Sequence, residues 1–231
     1  MFPIACKIGP FNVYSWGLMA AIGFLAGLAA ALRYAGREGI KDEQIYDLFI
    51  YVVISAIAGA RLAYVVTFPS EFVKNPLSVL YVSQGGLAFV GGLIAVLLAI
   101  FVYAGSHKID VLKLLDALSP AAALGYAIGR IGCYLNGCCY GITLFGIEQP
   151  TQLYLSLTGL VILSILAYYY DKKKYDGQIF LIALFLYSIC RFFIEFIRYS
   201  PVHIGIFTPN QLAVVLIFIL SSYALWKKSS T

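Results

Sequence analysis

The sequence predicts an all-α integral membrane protein of about seven transmembrane helices. Hydrophobic residues make up 61% of the chain and charged residues 12%, the latter about half the share in an ordinary soluble domain. Mean hydropathy is +0.88. Seven apolar stretches also come close to the length of about 20 residues that a bilayer-crossing helix needs. A soluble chain of 231 residues could not hide so much apolar surface. The 16% of aromatic residues suits a protein with many positions at headgroup level, where amphipathic rings settle.

The first stretch, 13–34, follows a segment whose only charge is Lys7. Without a basic region ahead of it, it does not read as a removable signal peptide and is expected to stay as a helix. The second stretch is 46–67. The third, 86–104, opens within Gln84-Gly85-Gly86-Leu87-Ala88-Phe89-Val90-Gly91-Gly92. Its paired glycines suit close packing, or a bent lead-in where backbone lines a cavity. In the fourth, 116–136, Gly125, Gly129 and Gly132 recur at helical spacing and offer a smooth face to a neighbouring helix. Gly137 and Gly141 let the backbone leave that helix. The fifth, 152–170, runs into Tyr168-Tyr169-Tyr170-Asp171-Lys172-Lys173-Lys174-Tyr175, which reads as an interfacial anchor. The sixth is 178–197 and the seventh 211–226. Connectors are short, so one domain over 1–231 is expected.

Basic residues set the expected orientation, because cytoplasmic loops collect Lys and Arg. With the N-terminus outside, the inner connectors hold Arg33, Arg37, Lys41, Lys108, Lys113, Lys172, Lys173, Lys174, Lys227 and Lys228. The outer ones hold only Lys7, Lys74 and Arg198. The sequence therefore predicts an outside N-terminus and a cytoplasmic C-terminus. The pI of about 8.9 reflects anchoring to the lipid bilayer, and no nucleic-acid partner is expected.

Charges within the helices carry the functional signal, since a charge at the bilayer centre costs about 2.5–3.5 kcal/mol on insertion scales. Arg61, Arg130, Arg191 and Glu195 all fall in the halves expected to face outward. Arg191 and Glu195 stand at i, i+4 and share a helix face; Arg198 continues that face. A structural ion pair and an anion site with Glu195 orienting an arginine, or acting as a base, both fit. Arg61 fits either interfacial snorkelling or a site. Arg130 sits among glycines near Asn136, and a guanidinium beside freed backbone donors suits a phosphate.

Cys133, Cys138 and Cys139 cluster on the expected outer side, with Cys6 near the N-terminus and Cys190 beside Arg191. A structural zinc site needs four N or S ligands, and the two histidines, His107 and His203, are expected on opposite faces, so no metal is expected. A disulfide within the cluster or to Cys6, and inert thiols, both stay open.

Taken together in order, these motifs resemble the prolipoprotein diacylglyceryl transferase family. The likeness rests on Gly17-Leu18-Met19, the paired glycines of 85–92, Gly129-Arg130-Ile131-Gly132 and Asn136-Gly137. It continues through Pro150-Thr151-Gln152-Leu153-Tyr154, Arg191-Phe192-Phe193-Ile194-Glu195-Phe196-Ile197-Arg198 and Pro209-Asn210-Gln211. It implies transfer of a diacylglyceryl group from phosphatidylglycerol to the lipobox cysteine thiol of a prolipoprotein signal peptide, in the bacterial cytoplasmic (inner) membrane with the active site outward. It implies no cofactor. The resemblance carries over Arg130, Arg191, Glu195 and Asn136 as catalytic residues. For substrate binding it carries over Arg61, Gly85, Gly86, Gly91, Gly92, Gly129, Gly132, Gly137, Arg198, Gln152 and Tyr154, with Tyr14 and Trp16. The chain departs from many members at Val90, where they have His or Tyr. It departs also at Cys133 and Cys138, where they have Asn and Glu, at Trp16 and at Gln149. These departures leave open a relative with another acceptor, or one that only binds lipid. A transporter would need charges continuing into the cytoplasmic half, and a thiol oxidoreductase lacks a C-x-x-C pair.

Overall fold

The computed structural model describes residues 2–9, 11–72, 76–80, 85–144 and 146–229. Lys74 and Gln84, named above, lie outside the described residues. A hairpin of β1 (Ile4–Ile8) and β2 (Phe11–Tyr14) leads into α1 (Ser15–Ala35). There follow α2 (Asp42–Thr67), α3 (Phe89–Ser106) and α4 (Val111–Asn136). After a short hairpin of β3 (Thr143–Leu144) and β4 (Ile147–Glu148) come α5 (Thr151–Tyr170), α6 (Gln178–Ile197) and α7 (Pro209–Ser229). Among the described residues, seven helices are long and apolar enough to cross a membrane. The fold class is therefore an all-α, multi-span membrane protein.

Helix boundaries depart from the apolar runs where charge belongs at a helix end. Helix α2 begins at Asp42, with Asp42 and Glu43 in its first turn, where acidic groups favour the positive end of the helix dipole. Helix α4 begins at Val111 because the Asp110 carboxylate accepts from the Leu112 amide at 2.8 Å, an N-cap. An apolarity criterion passes over both starts.

The chain forms two compact units, one of Met1–Glu38 with Leu115–Thr231 and one of Gly39–Leu114. In the first, small residues let helices approach closely. A side chain at Gly23 would meet the Gly125 carbonyl at 3.2 Å, and one at Gly132 would meet Met19 at 2.9 Å. One at Gly159 would meet Ala127 at 2.9 Å, and Ser156 Oγ donates to the Ala127 carbonyl at 2.9 Å. So α1 and α5 each pack on α4 with almost no side chain between backbones. Leu157, Phe193 and Ile219 are exposed, as lipid-facing positions are.

The same unit contains a buried ion cluster. Lys173 Nζ lies 2.7 Å from Glu38, 3.1 Å from Asp116 and 3.2 Å from Asp176. Fully buried Asp116 also accepts from the Gly177 and Phe180 amides, each at 2.9 Å, so an acid on α4 caps the N-terminus of α6. Burial pulls the Lys173 ammonium down, but its hydrogen bonds to Glu38, Asp116 and Asp176 outweigh this and leave it above its ordinary range. The tyrosine–lysine run thus divides. Tyr168, Tyr169 and Lys172 face outward, with Lys172 Nζ 3.4 Å from the Tyr168 ring. Tyr170 turns inward and donates to Glu38 at 2.9 Å, and Lys173, in the turn that follows α5, reaches the same carboxylate at 2.7 Å. Of the run expected to anchor at the interface, Tyr170 and Lys173 are instead taken up inside the protein.

In the second unit, α2 and α3 meet through glycine and alanine. A side chain at Gly91 would overlap Ala63 and the Gly59 carbonyl, and one at Gly92 would meet the Ala56 carbonyl at 3.0 Å. The Ala88 amide donates to the Ala60 carbonyl at 2.9 Å, tying the lead-in of α3 to α2. Gly85 and Gly86 have φ of 87° and 71°, conformations that glycine adopts without a Cβ clash, so α3 starts only at Phe89.

Candidate functional site

Glu195 is the hub of the first unit's second ion cluster. On α6, Arg191 Nη2 lies 2.8 Å from Glu195 Oε2, with the two side chains 5% and 1% exposed. Arg198 Nη1 approaches Glu195 Oε1 at 3.4 Å. Thr208 Oγ1 donates to Oε1 as well, at 3.2 Å. Thr208 is also the N-cap of α7: its amide donates to Gln211 Oε1 at 2.9 Å, and the Gln211 amide donates to its Oγ1 at 3.1 Å. That reciprocal pair is a capping box. The resemblance marked Pro209-Asn210-Gln211 but missed Thr208, although T-x-x-Q is a readable N-terminus signal.

Arg130, one helix away on α4, places its guanidinium 4.9 Å from the centre of the Tyr126 ring. Tyr126 lies in the fields of both Arg130 and Arg191, so these two cations share a neighbourhood. The Tyr126 hydroxyl faces Arg130 without a hydrogen bond of full geometry, and the Arg130 guanidinium also stands over the ring. Unpartnered buried polar atoms gather on these residues: Arg191 Nη1, Arg198 Nε, Asn210 Nδ2, Gln152 Oε1 and the Tyr126 hydroxyl. Buried polar atoms are ordinarily paired, so this concentration of orphans makes this end of the unit the candidate site.

The turn after α4 supplies the rest. The Gly137 amide donates to the Tyr134 carbonyl at 3.2 Å and the Cys138 amide to the Cys133 carbonyl at 3.1 Å. Gly137 has φ of 74°. This is the Schellman ending of a helix, which needs a left-handed residue at its turn. Cys139 is left-handed too, at φ 64°. Two α5 residues clamp the turn: Gln152 Nε2 donates to the Cys138 carbonyl at 2.7 Å, and Thr151 Oγ1 to the Cys139 carbonyl at 2.9 Å. Gly141 then passes where a Cβ would collide with the Ile197 carbonyl and would meet Thr151 at 2.8 Å. The Ile142 amide donates to that Ile197 carbonyl at 2.9 Å, so the loop is sewn to the end of α6 beside Arg198.

The three thiols of this turn, Cys133, Cys138 and Cys139, are free and have sulfurs within 4.8 Å of one another. Contact with the Cys133 thiol, helped by Cys138 and by the Arg198 and Arg130 charges, outweighs burial and pushes Cys139 down to about 5. Cys138 is pushed up, chiefly by burial. Asn136, the last residue of α4, lies beside Cys138.

The structure thus gathers Arg130, Arg191, Glu195, Arg198, Asn136, Gly137 and Gln152 at one end of the first unit. Trp16 is there as well, its backbone 3.5 Å from where a Cβ on Gly132 would stand. Tyr14 immediately precedes α1 and is exposed. Tyr154 donates to Gln149 Oε1 at 3.2 Å. Gly129 does not share the packing role of Gly125 and Gly132, for a Cβ there would meet nothing within 4 Å. Arg61, Gly85, Gly86, Gly91 and Gly92 belong to the second unit. There Arg61 donates to the carbonyls of Ser78, Val79, Gly85 and Gly86 at 2.6, 2.9, 2.6 and 3.0 Å, which organises the lead-in to α3. Val90 is 66% exposed.

Comparison with known proteins bears on the chain as a whole. The family model for prolipoprotein diacylglyceryl transferase matches residues 3–227. The chain belongs to the prolipoprotein diacylglyceryl transferase family. Three proteins named phosphatidylglycerol–prolipoprotein diacylglyceryl transferase are similar to it along most of their length. That of Finegoldia magna is 34% identical, covering 94% of this chain and 91% of the relative. That of Clostridium kluyveri is 34% identical over 96% and 94%, and that of Bordetella bronchiseptica 33% over 88% and 85%. The family match runs through the residues of both units.

Proposed function

We propose that this protein transfers the diacylglyceryl group of phosphatidylglycerol to the lipobox cysteine thiol in the signal peptide of a prolipoprotein. The reaction takes place at the outer side of the bacterial cytoplasmic membrane, with residues 1–231 acting as one transferase domain. The observation that carries this reading is Arg191, a buried cation with one nitrogen at Glu195 and Nη1 without a partner. Arg130 stands near enough for both to act on Tyr126. Two such cations with a spare donor suit a phosphate ester, which arginine recognises through its planar fork.

The chemistry follows from that anion. The acceptor sulfur attacks the diacylglyceryl carbon that bears the phosphate oxygen. The carbon–oxygen bond breaks, its electron pair stays with oxygen, and glycerol phosphate leaves. Arg130 and Arg191 meet the charge that develops on the leaving group, where preorganised donors act most strongly. Glu195 accepts from Thr208 while flanked by Arg191 and Arg198, which suits an orienting group that holds Arg191 in place. Gly129 leaves room beside Arg130, and Gln152, Tyr154, Tyr14 and Trp16 surround the same end. An apolar groove of about 230 Å³ between α6 and α7, lined by Ile189, Phe193, Val215 and Phe218 among others, offers a place for an acyl chain.

The test mixes the purified protein with phosphatidylglycerol and a peptide carrying one lipobox cysteine, and follows the peptide by mass spectrometry. A gain of one diacylglyceryl group, lost when the peptide cysteine is replaced by alanine, is expected. Folded, lipid-binding protein that gives no gain contradicts the reading.

A further inference from the structure

The three-cysteine turn at the end of α4 has no part in the chemistry described so far, yet it is built with care. In a Schellman ending, the residue after the left-handed turn contacts the residue five positions earlier. Here those positions are Cys138 and Cys133, so the motif itself brings two thiols together. Left-handed Cys139 adds a third. The clamps from Thr151 and Gln152 fix the carbonyls on either side, and all three side chains are only half-buried. Arg130 acts on Cys133 and Cys139, and Arg198 on Cys139.

We propose that Cys133, Cys138 and Cys139 bind one zinc ion through three thiolates and leave its fourth position for the thiol of the acceptor peptide. The inference rests on the transferase reading for the identity of that fourth ligand. Tetrahedral zinc with bonds of about 2.3 Å sets its sulfurs about 3.8 Å apart. Sulfurs within 4.8 Å of one another reach that spacing by moving about 1 Å at most. Three protein ligands with one open position is the pattern of catalytic rather than structural zinc. Requiring four ligands, as the sequence reading did, overlooks it. A zinc tristhiolate carries a net charge of −1, and Arg130 and Arg198 offset it.

The step balances without a further reagent. The acceptor thiol coordinates zinc, which deprotonates a bound thiol outright, and the proton passes to solvent. The bound thiolate attacks the diacylglyceryl carbon, the carbon–oxygen bond to phosphate breaks, and glycerol phosphate departs with the bonding pair. The product thioether has no charge to hold it on zinc and is released. Zinc thus supplies the thiol activation that the transfer needs.

Cobalt reports on such a site. The reduced, chelator-treated protein is titrated with Co²⁺ and followed by its thiolate-to-cobalt charge-transfer absorption, with Zn²⁺ added last. One Co²⁺ per chain is expected, displaced by Zn²⁺ and weakened or lost in Cys133→Ser, Cys138→Ser and Cys139→Ser but not in Cys190→Ser. Adding the lipobox peptide is expected to shift the band, and its Cys→Ser counterpart to leave it alone. Folded, reduced wild-type protein that shows no thiolate–cobalt band overturns the proposal, as does full transfer by zinc-free protein in chelator. Either result leaves the transferase reading in place. Cobalt held by the three thiols, in protein that lipidates no peptide with or without zinc, instead overturns the transferase reading.

Discussion

Two buried ion clusters sit at opposite ends of the same helices, and they are finished differently. Asp116 and Arg130 lie about 21 Å apart along α4 at 1.5 Å per residue. At the Asp116 end, one lysine meets three carboxylates, two backbone amides complete Asp116, and Tyr170 completes Glu38. None of the side chains in that cluster carries an unpartnered buried atom. At the Arg130 end, Arg191, Arg198, Asn210, Gln152 and Tyr126 each keep one. Both clusters hold charge inside an apolar protein, where leaving a polar atom unpaired is expensive. The difference teaches that burial of charge alone does not mark a site. A cluster that closes on itself reads as architecture; one that keeps open donors next to spare cations is the candidate for a ligand site.

Substitutions sharpen this contrast. The largest effect is expected from Lys173→Ala, which leaves Glu38 and Asp116 buried without their cation and costs about 3–5 kcal/mol of stability. Chemical denaturation in detergent reads it, and transfer per folded molecule should be unchanged. Arg191→Ala should show its main effect on the rate, because Arg198 and Thr208 still hold Glu195. Removing one preorganised donor from a developing anion lowers the rate about 10²–10³-fold, or about 2.7–4 kcal/mol, and the peptide assay reads that loss in protein that still folds. Glu195→Gln keeps the shape but weakens a charge-assisted contact worth about 1.5–3 kcal/mol, so transfer should fall about 10–100-fold. Thr208→Val removes the α7 cap and should cost about 1 kcal/mol, seen as a lower unfolding midpoint with a smaller loss of transfer.

The smallest effect concerns pH. Because Cys139 is pushed down to about 5, its thiolate contributes stability that is fully present above the ordinary thiol value of about 8.5 and is lost as pH falls through the folded value. In reduced, metal-free protein, mass spectrometry should find Cys139 alkylated at about pH 6.5, where an ordinary thiol is about 1% ionised, and Cys138 lagging behind it. Equal labelling of the two would contradict the arrangement around Cys139.

The seven helices were legible because each carries an apolar run, and the Arg191/Glu195 pair because i, i+4 spacing puts both on one face. Arg198 followed from the same face. Other features depend on residues far apart in the chain. Nothing local joins Lys173 to Glu38 or Asp116, so with Lys172 and Lys174 on either side it looked like a surface anchor. The same applies to Gly129, which resembles Gly125 and Gly132 in spacing yet faces open space, because helical phase rather than residue type decides which glycine meets α1. Thr208 was a readable signal that apolarity masked. The convergence of Cys133, Cys138 and Cys139 needed the Schellman turn, which the Asn136-Gly137 pair announces only once the end of the helix is known.

One comparison tests the account most directly. Arg191→Gln and Lys173→Gln are placed in phosphatidylglycerol-containing nanodiscs, and initial rates of peptide lipidation are normalised to folded protein. The account predicts a rate about 10²-fold or more below wild type for Arg191→Gln and a wild-type rate for Lys173→Gln. Wild-type transfer by Arg191→Gln would contradict it, because the open cluster would then be architecture like the closed one.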